Sequence, residues 1–143
     1  MKKPGAGPLM KVTAAVIEKD GKVLVCRRRP GDASGGLWEF PGGKLEDGET
    51  AELGLERELA EELGVRVRVG ELLCAVPYRS PALSIELLAY RVEHVSGEFR
   101  PTDHDEVRWA APSELDESLF SGPDRPVVRR LAAGVKGAKP GRP

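Results

Sequence analysis

Apolar and polar positions along the chain follow two periods. Val12 to Glu18 and Lys22 to Arg28 are short runs rich in β-forming residues, separated by Lys19-Asp20-Gly21. An Asp-Gly pair between two such runs predicts a tight β-hairpin. Further strands are expected over Val65 to Val76, over Ala82 to Glu93 and, shorter, over Glu106 to Ala110. In the second of these, Ile85, Leu87 and Ala89 fall on one side and Glu86, Leu88 and Tyr90 on the other. After Thr50 the period becomes helical. Leu55, Leu59 and Leu63 form an apolar stripe, Thr50 is placed to cap the N-terminus, and Glu52 lies in the first turn. Pro112-Ser113-Glu114-Leu115 opens a short helix, and Pro126 to Ala133 a final one with proline in its first turn. Strands on either side of one helix, followed by a terminal helix, predict a mixed α/β sheet covered on both faces. One domain is expected over residues 10–133, after a flexible leader at 1–9 and before a disordered Gly-, Pro- and Lys/Arg-containing tail at 134–143.

Charge narrows the partners. With 22 basic and 23 acidic residues in 143, the net charge of −1 gives no electrostatic footprint for duplex nucleic acid or an anionic membrane, so a small molecule is the expected ligand. The N-terminus lacks the apolar run of a signal peptide, and no segment approaches the roughly 18 apolar residues of a membrane span, which suggests a cytoplasmic protein. Cys26 and Cys74 each sit in a strand-like run without a C-x-x-C partner, which favours reduced, buried thiols over a zinc site.

The candidate chemistry lies on the first helix. Glu58, Glu61 and Glu62, spaced i, i+3 and i+4, share one face beside the leucine stripe. Like charges at that spacing destabilise a helix, and Arg57 is the only cation between Thr50 and Val65. Clustered carboxylates suit Mg2+ or Mn2+, which bind through a few such oxygens together with substrate phosphates; the alternative is a solvated acidic face. Before the helix, Leu37-Trp38-Glu39-Phe40-Pro41-Gly42-Gly43-Lys44 places two glycines where backbone can approach a metal or phosphate. It is not a P-loop: Trp38 stands where the first glycine would be, and Leu45 replaces the hydroxyl residue.

Together these residues resemble the Nudix box, G-x5-E-x7-R-E-U-x-E-E-x-G-U with U a bulky apolar residue. Gly43, Glu49, Arg57, Glu58, Leu59, Glu61, Glu62, Gly64 and Val65 occupy its fixed positions. The resemblance covers roughly Val12 to Ala133 and implies the Nudix α/β/α sandwich. It further implies a metal site made by Glu58, Glu61, Glu62 and the Gly42 carbonyl, with Glu49 pairing with Arg57 to brace loop against helix.

Weaker signals outside the box resemble the MutT-type nucleoside triphosphate pyrophosphohydrolases and the neighbouring CTP pyrophosphohydrolases. These are the Leu37–Lys44 segment, Arg27-Arg28, Asp103-His104 to Trp109, and Pro123-Asp124-Arg125-Pro126. By that resemblance Arg28, Glu39, Phe40 and Asp124 bind the nucleotide, and Asp103 reaches the metal cluster. Water attacks the β-phosphorus, releasing nucleoside monophosphate and pyrophosphate, with Glu58 as general base and Asp103 its rival. Each assignment has a plainer competitor. Arg28 belongs to an Arg27-Arg28-Arg29 run that suits a surface, Asp103 to an acidic loop segment, and Asp124 to a turn where it can cap a helix. Trp38 and Phe40, flanked by Leu37 and Pro41, suit the core better than a base pocket. The resemblance implies Asn or Asp at the Asp124 position, and the two differ, since an ionised carboxylate only accepts hydrogen bonds whereas Asn also donates. His94 and His104 are isolated and receive no role.

Two other functions compete. Pro81 lies one residue beyond a proline associated with ADP-ribose specificity, although the array of NADH pyrophosphatases and the extra N-terminal domain of many ADP-ribose enzymes are lacking. A binding-only domain would need a degraded box, and this one has its full set of acids. The expected species is a monomer or homodimer.

Overall fold

The computed structural model describes residues 9–31 and 35–138, with backbone alone for 135–138. Eight principal elements follow one another: β1 (Met10–Lys19), β2 (Lys22–Arg28), β3 (Trp38–Glu39), α1 (Ala51–Leu63), β4 (Arg66–Arg79), β5 (Ser84–Ser96), β6 (His104–Ala110) and α2 (Arg125–Ala138). Short 3-10 turns at Pro112–Glu114, Glu117–Leu119 and Gly122–Asp124 lead into α2. The β1–β2 turn follows from its sequence: Asp20 and Gly21 both take positive φ, 54° and 77°, as a two-residue hairpin demands.

The sheet is mixed. β1 runs parallel to β5, from Met10 opposite Ile85 to Ile17 opposite Val92, and β4 pairs antiparallel with β5. β2 meets β1 beside the turn, at Glu18↔Val23 and Lys19↔Lys22, and is paired along its length with β6. Farther from the turn, the chain from Trp38 to Leu45 lies between β1 and β2. β3 bonds to β2 at Cys26↔Glu39 and Arg27↔Trp38. The next residues bond to β1: Thr13 N–H to the Gly43 carbonyl (2.9 Å), Ala15 N–H to Pro41 (2.7 Å) and Leu45 N–H to Lys11 (3.2 Å). The glycine loop is thus wedged into the sheet.

Both faces are buried, and strand alternation sorts the residues. Ala14, Val16, Val25, Ile85, Leu87 and Ala89 pack with Val127, Val128 and Leu131 of α2. Ala15, Ile17, Leu24, Tyr90 and Val92 pack with Leu55, Leu59 and Leu63 of α1. The result is the expected α/β/α sandwich.

Several boundaries differ from expectation. β4 and β5 run on to Arg79 and Ser96, because two antiparallel neighbours keep satisfying each other's backbone after the apolar pattern fades. β3, too short to show a period, exists because β2 offers an edge. α2 continues to Ala138, so residues 134–138 are helical rather than a disordered tail. Leu131-Ala132-Ala133 sustains the helix. The leader through residue 8 and the tail from 139 lie outside the described residues. Among those described, no helix is long and apolar enough to cross a membrane. Cys26 is buried and Cys74 half-buried, both as free thiols, and burial raises the Cys26 pKa well above its usual value.

Candidate active site

α1 is anchored at both ends. The Thr50 side chain accepts from Leu53 N–H at 3.2 Å, and Gly64, in the left-handed region at φ 72°, turns its N–H back to the Ala60 carbonyl at 3.1 Å. With Leu55, Leu59 and Leu63 turned into the core, the glutamates are left facing the glycine loop.

Arg57 fixes that loop. Its Nε and Nη2 donate to the two oxygens of Glu49 at 2.6 and 3.0 Å, Nη2 also reaches the Lys44 carbonyl at 3.3 Å, and Nη1 reaches Glu58 (3.2 Å) and Glu61 (3.1 Å). The guanidinium holds the Glu49 carboxyl down to about 2. Arg57 therefore spreads its donors over the loop and two of the acids.

Glu58 and Glu62 stand together. Glu62 is half-buried, accepts from Gly42 N–H and shares a hydrogen bond with Glu58; desolvation first, and the Glu58 charge second, push its carboxyl well above the usual carboxylate range. Its Oε1 has no hydrogen-bond partner. Gly43 makes room for Glu58, since a Cβ there would lie 2.6 Å from the Glu58 carboxyl carbon. Glu61 behaves otherwise: its side chain is 61% exposed and is drawn to Arg57. The three acids share a helix face but do not converge, and among the described residues no group of three His, Cys, Asp or Glu side chains is arranged to hold an ion. Repulsion between like charges accounts for the spread. A divalent cation nevertheless fits beside Glu58 and Glu62, where it would neutralise the pair and give the orphaned Oε1 a partner.

Glu62 and the glycine loop border a cleft of about 660 Å3 lined by residues from five strands, α1 and several loops, with Glu58 and Glu61 outside its lining. Glu62, Asp103, Lys44 and Gly42-Gly43 lie on its wall, as do Arg28, Glu39 and His104, with Met10, Val12, Phe40, Leu83, Ile85 and Leu87 giving apolar surface. Asp103 is exposed on this wall. Its loop is docked on the end of α1 by Thr102, whose N–H and hydroxyl donate to the Glu62 carbonyl at 3.0 and 3.3 Å. The other acids of that segment point elsewhere: Asp105 and Glu106 pair with Arg27.

Phe40 is both core and cleft wall, stacked on Phe120 with centroids 5.6 Å apart. Trp38 is core, beneath the guanidiniums of Arg27 and Arg108. Asp124 is only 5% exposed and does not line the cleft, although Ser121 and Pro123 do. Its carboxyl accepts from Ser121 Oγ at 2.7 Å and from the Phe40 N–H, tying the segment before α2 to the end of β3. Burial, reinforced by Glu39, pushes it up to about 8. A carboxyl raised in this way holds its proton more readily, and the protonated form carries an O–H donor alongside its acceptor, which narrows the chemical difference from asparagine.

His104 has a place in the site that its isolation in the sequence does not reveal. Buried at 3% exposure, it meets Glu39 through Nε2 at 2.7 Å, while the other Glu39 oxygen accepts from Arg28 Nη1 at 3.1 Å. Only the pairing of β6 and β3 with β2 brings these three residues together.

A braced acid-bearing helix, a glycine loop wedged into a mixed sheet and a cleft alongside define a hydrolase of the Nudix class. The NUDIX domain model matches residues 8–131, and the chain belongs to that family. It is 34% identical over 132 residues to the CTP pyrophosphohydrolase of Escherichia coli K12, covering 92% of this chain and 97% of that one. It is 37% identical over 135 residues to a putative 8-oxo-dGTP diphosphatase 2 of Mycobacterium tuberculosis, covering 89% and 91%. The solution structure of the E. coli ORF135 protein superposes with a TM-score of 0.79 at 34% identity, over 95% of this chain and all of that one. Nudix hydrolases generally use divalent cations, typically Mg2+.

Proposed function

We propose that this protein is an Mg2+-dependent nucleoside triphosphate pyrophosphohydrolase that releases nucleoside monophosphate and pyrophosphate. The observation that carries this reading is the two-sided character of the cleft. The Glu62 and Asp103 wall, with Lys44 beside it, suits a cation-neutralised polyphosphate, while Phe40, Leu83, Ile85 and Leu87 offer a base an apolar surface. The names of the relatives support cytidine or oxidised guanine nucleotides as the substrate class.

In this reading Glu58, Glu62 and the Gly42 carbonyl, with Glu61 turning in, would hold Mg2+, which when bound would supply charge neutralisation and polarisation of the phosphates. Arg28 offers a fork of donors to the nucleotide. Glu39 supplies a polar contact for selectivity, with Asp124 behind the wall holding Ser121 and the Phe40 backbone in place; Phe40 packs against the base, and Glu58 acts as general base, with Asp103 as its rival. Arg57, Glu49, Gly43 and Gly64 hold the frame.

The deciding experiment incubates the purified protein with Mg2+ and separate samples of the common and oxidised nucleoside triphosphates, ADP-ribose and dinucleotides, and identifies products by ion-exchange chromatography. Monophosphate and pyrophosphate from a triphosphate are expected. Cleavage confined to ADP-ribose or dinucleotides would overturn the substrate assignment while leaving the family intact.

A further inference from the structure

His104 sits where β6 begins, opposite Arg28 of β2 at a bulge, and its ring reaches Glu39 of β3. A carboxylate has lone pairs and no proton to give, so the ring must donate through Nε2–H. That leaves Nδ1 as the other ring nitrogen, and it is buried with no hydrogen-bond partner. An apolar side chain would fill the same space without leaving a polar atom unsatisfied, so the bond to Glu39 is what the imidazole offers over leucine. Glu39 is 18% exposed on the cleft wall and has one oxygen toward His104 and the other toward Arg28. Without the imidazole, that Glu39 oxygen would lose its donor, and the carboxylate its fixed orientation toward the Arg28 guanidinium.

We propose that His104 is a positioning residue for substrate binding, clamping one oxygen of Glu39 so that the other holds the Arg28 guanidinium at the cleft wall. This rests on Arg28 engaging the nucleotide, as proposed above. The clamp sets the population of the binding geometry, so its removal raises KM, while the acids on α1 and hence kcat are left alone.

The test uses full-length protein with Mg2+ and its best triphosphate. His104→Leu is expected to raise KM about tenfold with kcat within about threefold. His104→Gln places an amide N–H near the reach of Nε2 and should restore KM to within about threefold of the parent, whereas His104→Asn, whose amide reaches only as far as Nδ1, should resemble leucine. This Gln/Asn contrast also decides the matter if the leucine variant fails to fold. Arg28→Ala and the Arg28→Ala/His104→Leu double variant should share one KM, because a clamp has nothing left to hold. If Arg28→Ala leaves KM unchanged, the role of Arg28 fails and the clamp with it. If Arg28→Ala raises KM but the two substitutions add fully, or Gln and Asn behave alike, the clamp alone is overturned.

Discussion

Arg57 and Glu49 form a two-point ion pair, Nε to Oε2 at 2.6 Å and Nη2 to Oε1 at 3.0 Å, that joins the loop before α1 to the flank of the helix. Glu49 also accepts from the Glu46 N–H at 2.8 Å, so a single carboxylate fixes both the turn and the arginine that partly neutralises Glu58 and Glu61.

Because the folded Glu49 carboxyl is held at about 2, below its ordinary 4.5, it stabilises the protein above pH 4.5 and ceases to do so as pH falls toward 2. Glu49→Gln should therefore melt below the parent at pH 7, with the difference shrinking between pH 4.5 and pH 2. Thermal melts across that range check this, and a constant difference would show that the charge is not what stabilises.

Asp124 gives the opposite slope. Its folded value of about 8 lies above the ordinary 3.8, so its protonated form favours folding at low pH and stability declines as pH rises between about 4 and 8. Asp124→Asn should flatten the dependence by one proton, about 1.4 kcal/mol per pH unit within that window. Denaturant titrations at pH 5, 6 and 7 provide the slopes; parallel slopes for parent and variant would place the proton elsewhere.

Glu58→Gln and Glu62→Gln should each lower turnover by orders of magnitude in a folded protein, since glutamine keeps the shape and loses the anionic ligand. In both, the rise in Tm caused by added Mg2+ should shrink as well. Near-parental turnover in folded variants would remove these residues from the proposed site.

The two loop glycines should respond differently to alanine. At Gly42, with φ 153°, a Cβ would overlap the Thr13 carbonyl oxygen, a backbone atom of β1, and we expect a loss of about 3 kcal/mol. At Gly43 the obstacle is the movable Glu58 side chain, so stability should fall less while turnover drops at least about tenfold. Denaturant melts and initial rates on the pair check the contrast.

What could be read from sequence was what lies close together along it. The box falls within one loop and one helix, so helical geometry alone places Glu58, Glu61 and Glu62 on one side and Leu55, Leu59 and Leu63 on another. That Glu61 swings toward Arg57 instead of joining Glu58 and Glu62 follows from unneutralised repulsion, which spacing does not express. The Arg28, Glu39 and His104 cluster is set by the β2–β6 and β2–β3 registers and a bulge, none of which leaves a local signal. Asp124 between two prolines reads as a turn residue, and its burial depends on Phe40 and Ser121 arriving from both sides.

The central place of β1 has a consequence for how the chain is made. Ala14 and Val16 seek one layer, Ala15 and Ile17 the other, yet the long partner of this strand is β5, so Met10 must wait for Ile85. As the chain emerges from the ribosome, the first hairpin is complete well before either of its apolar faces or its open edge can be covered. Such late, non-local closure makes for slow folding and a long exposure to mispairing. Substitutions in β5 would then reduce soluble yield more than they reduce the stability of the molecules that finish.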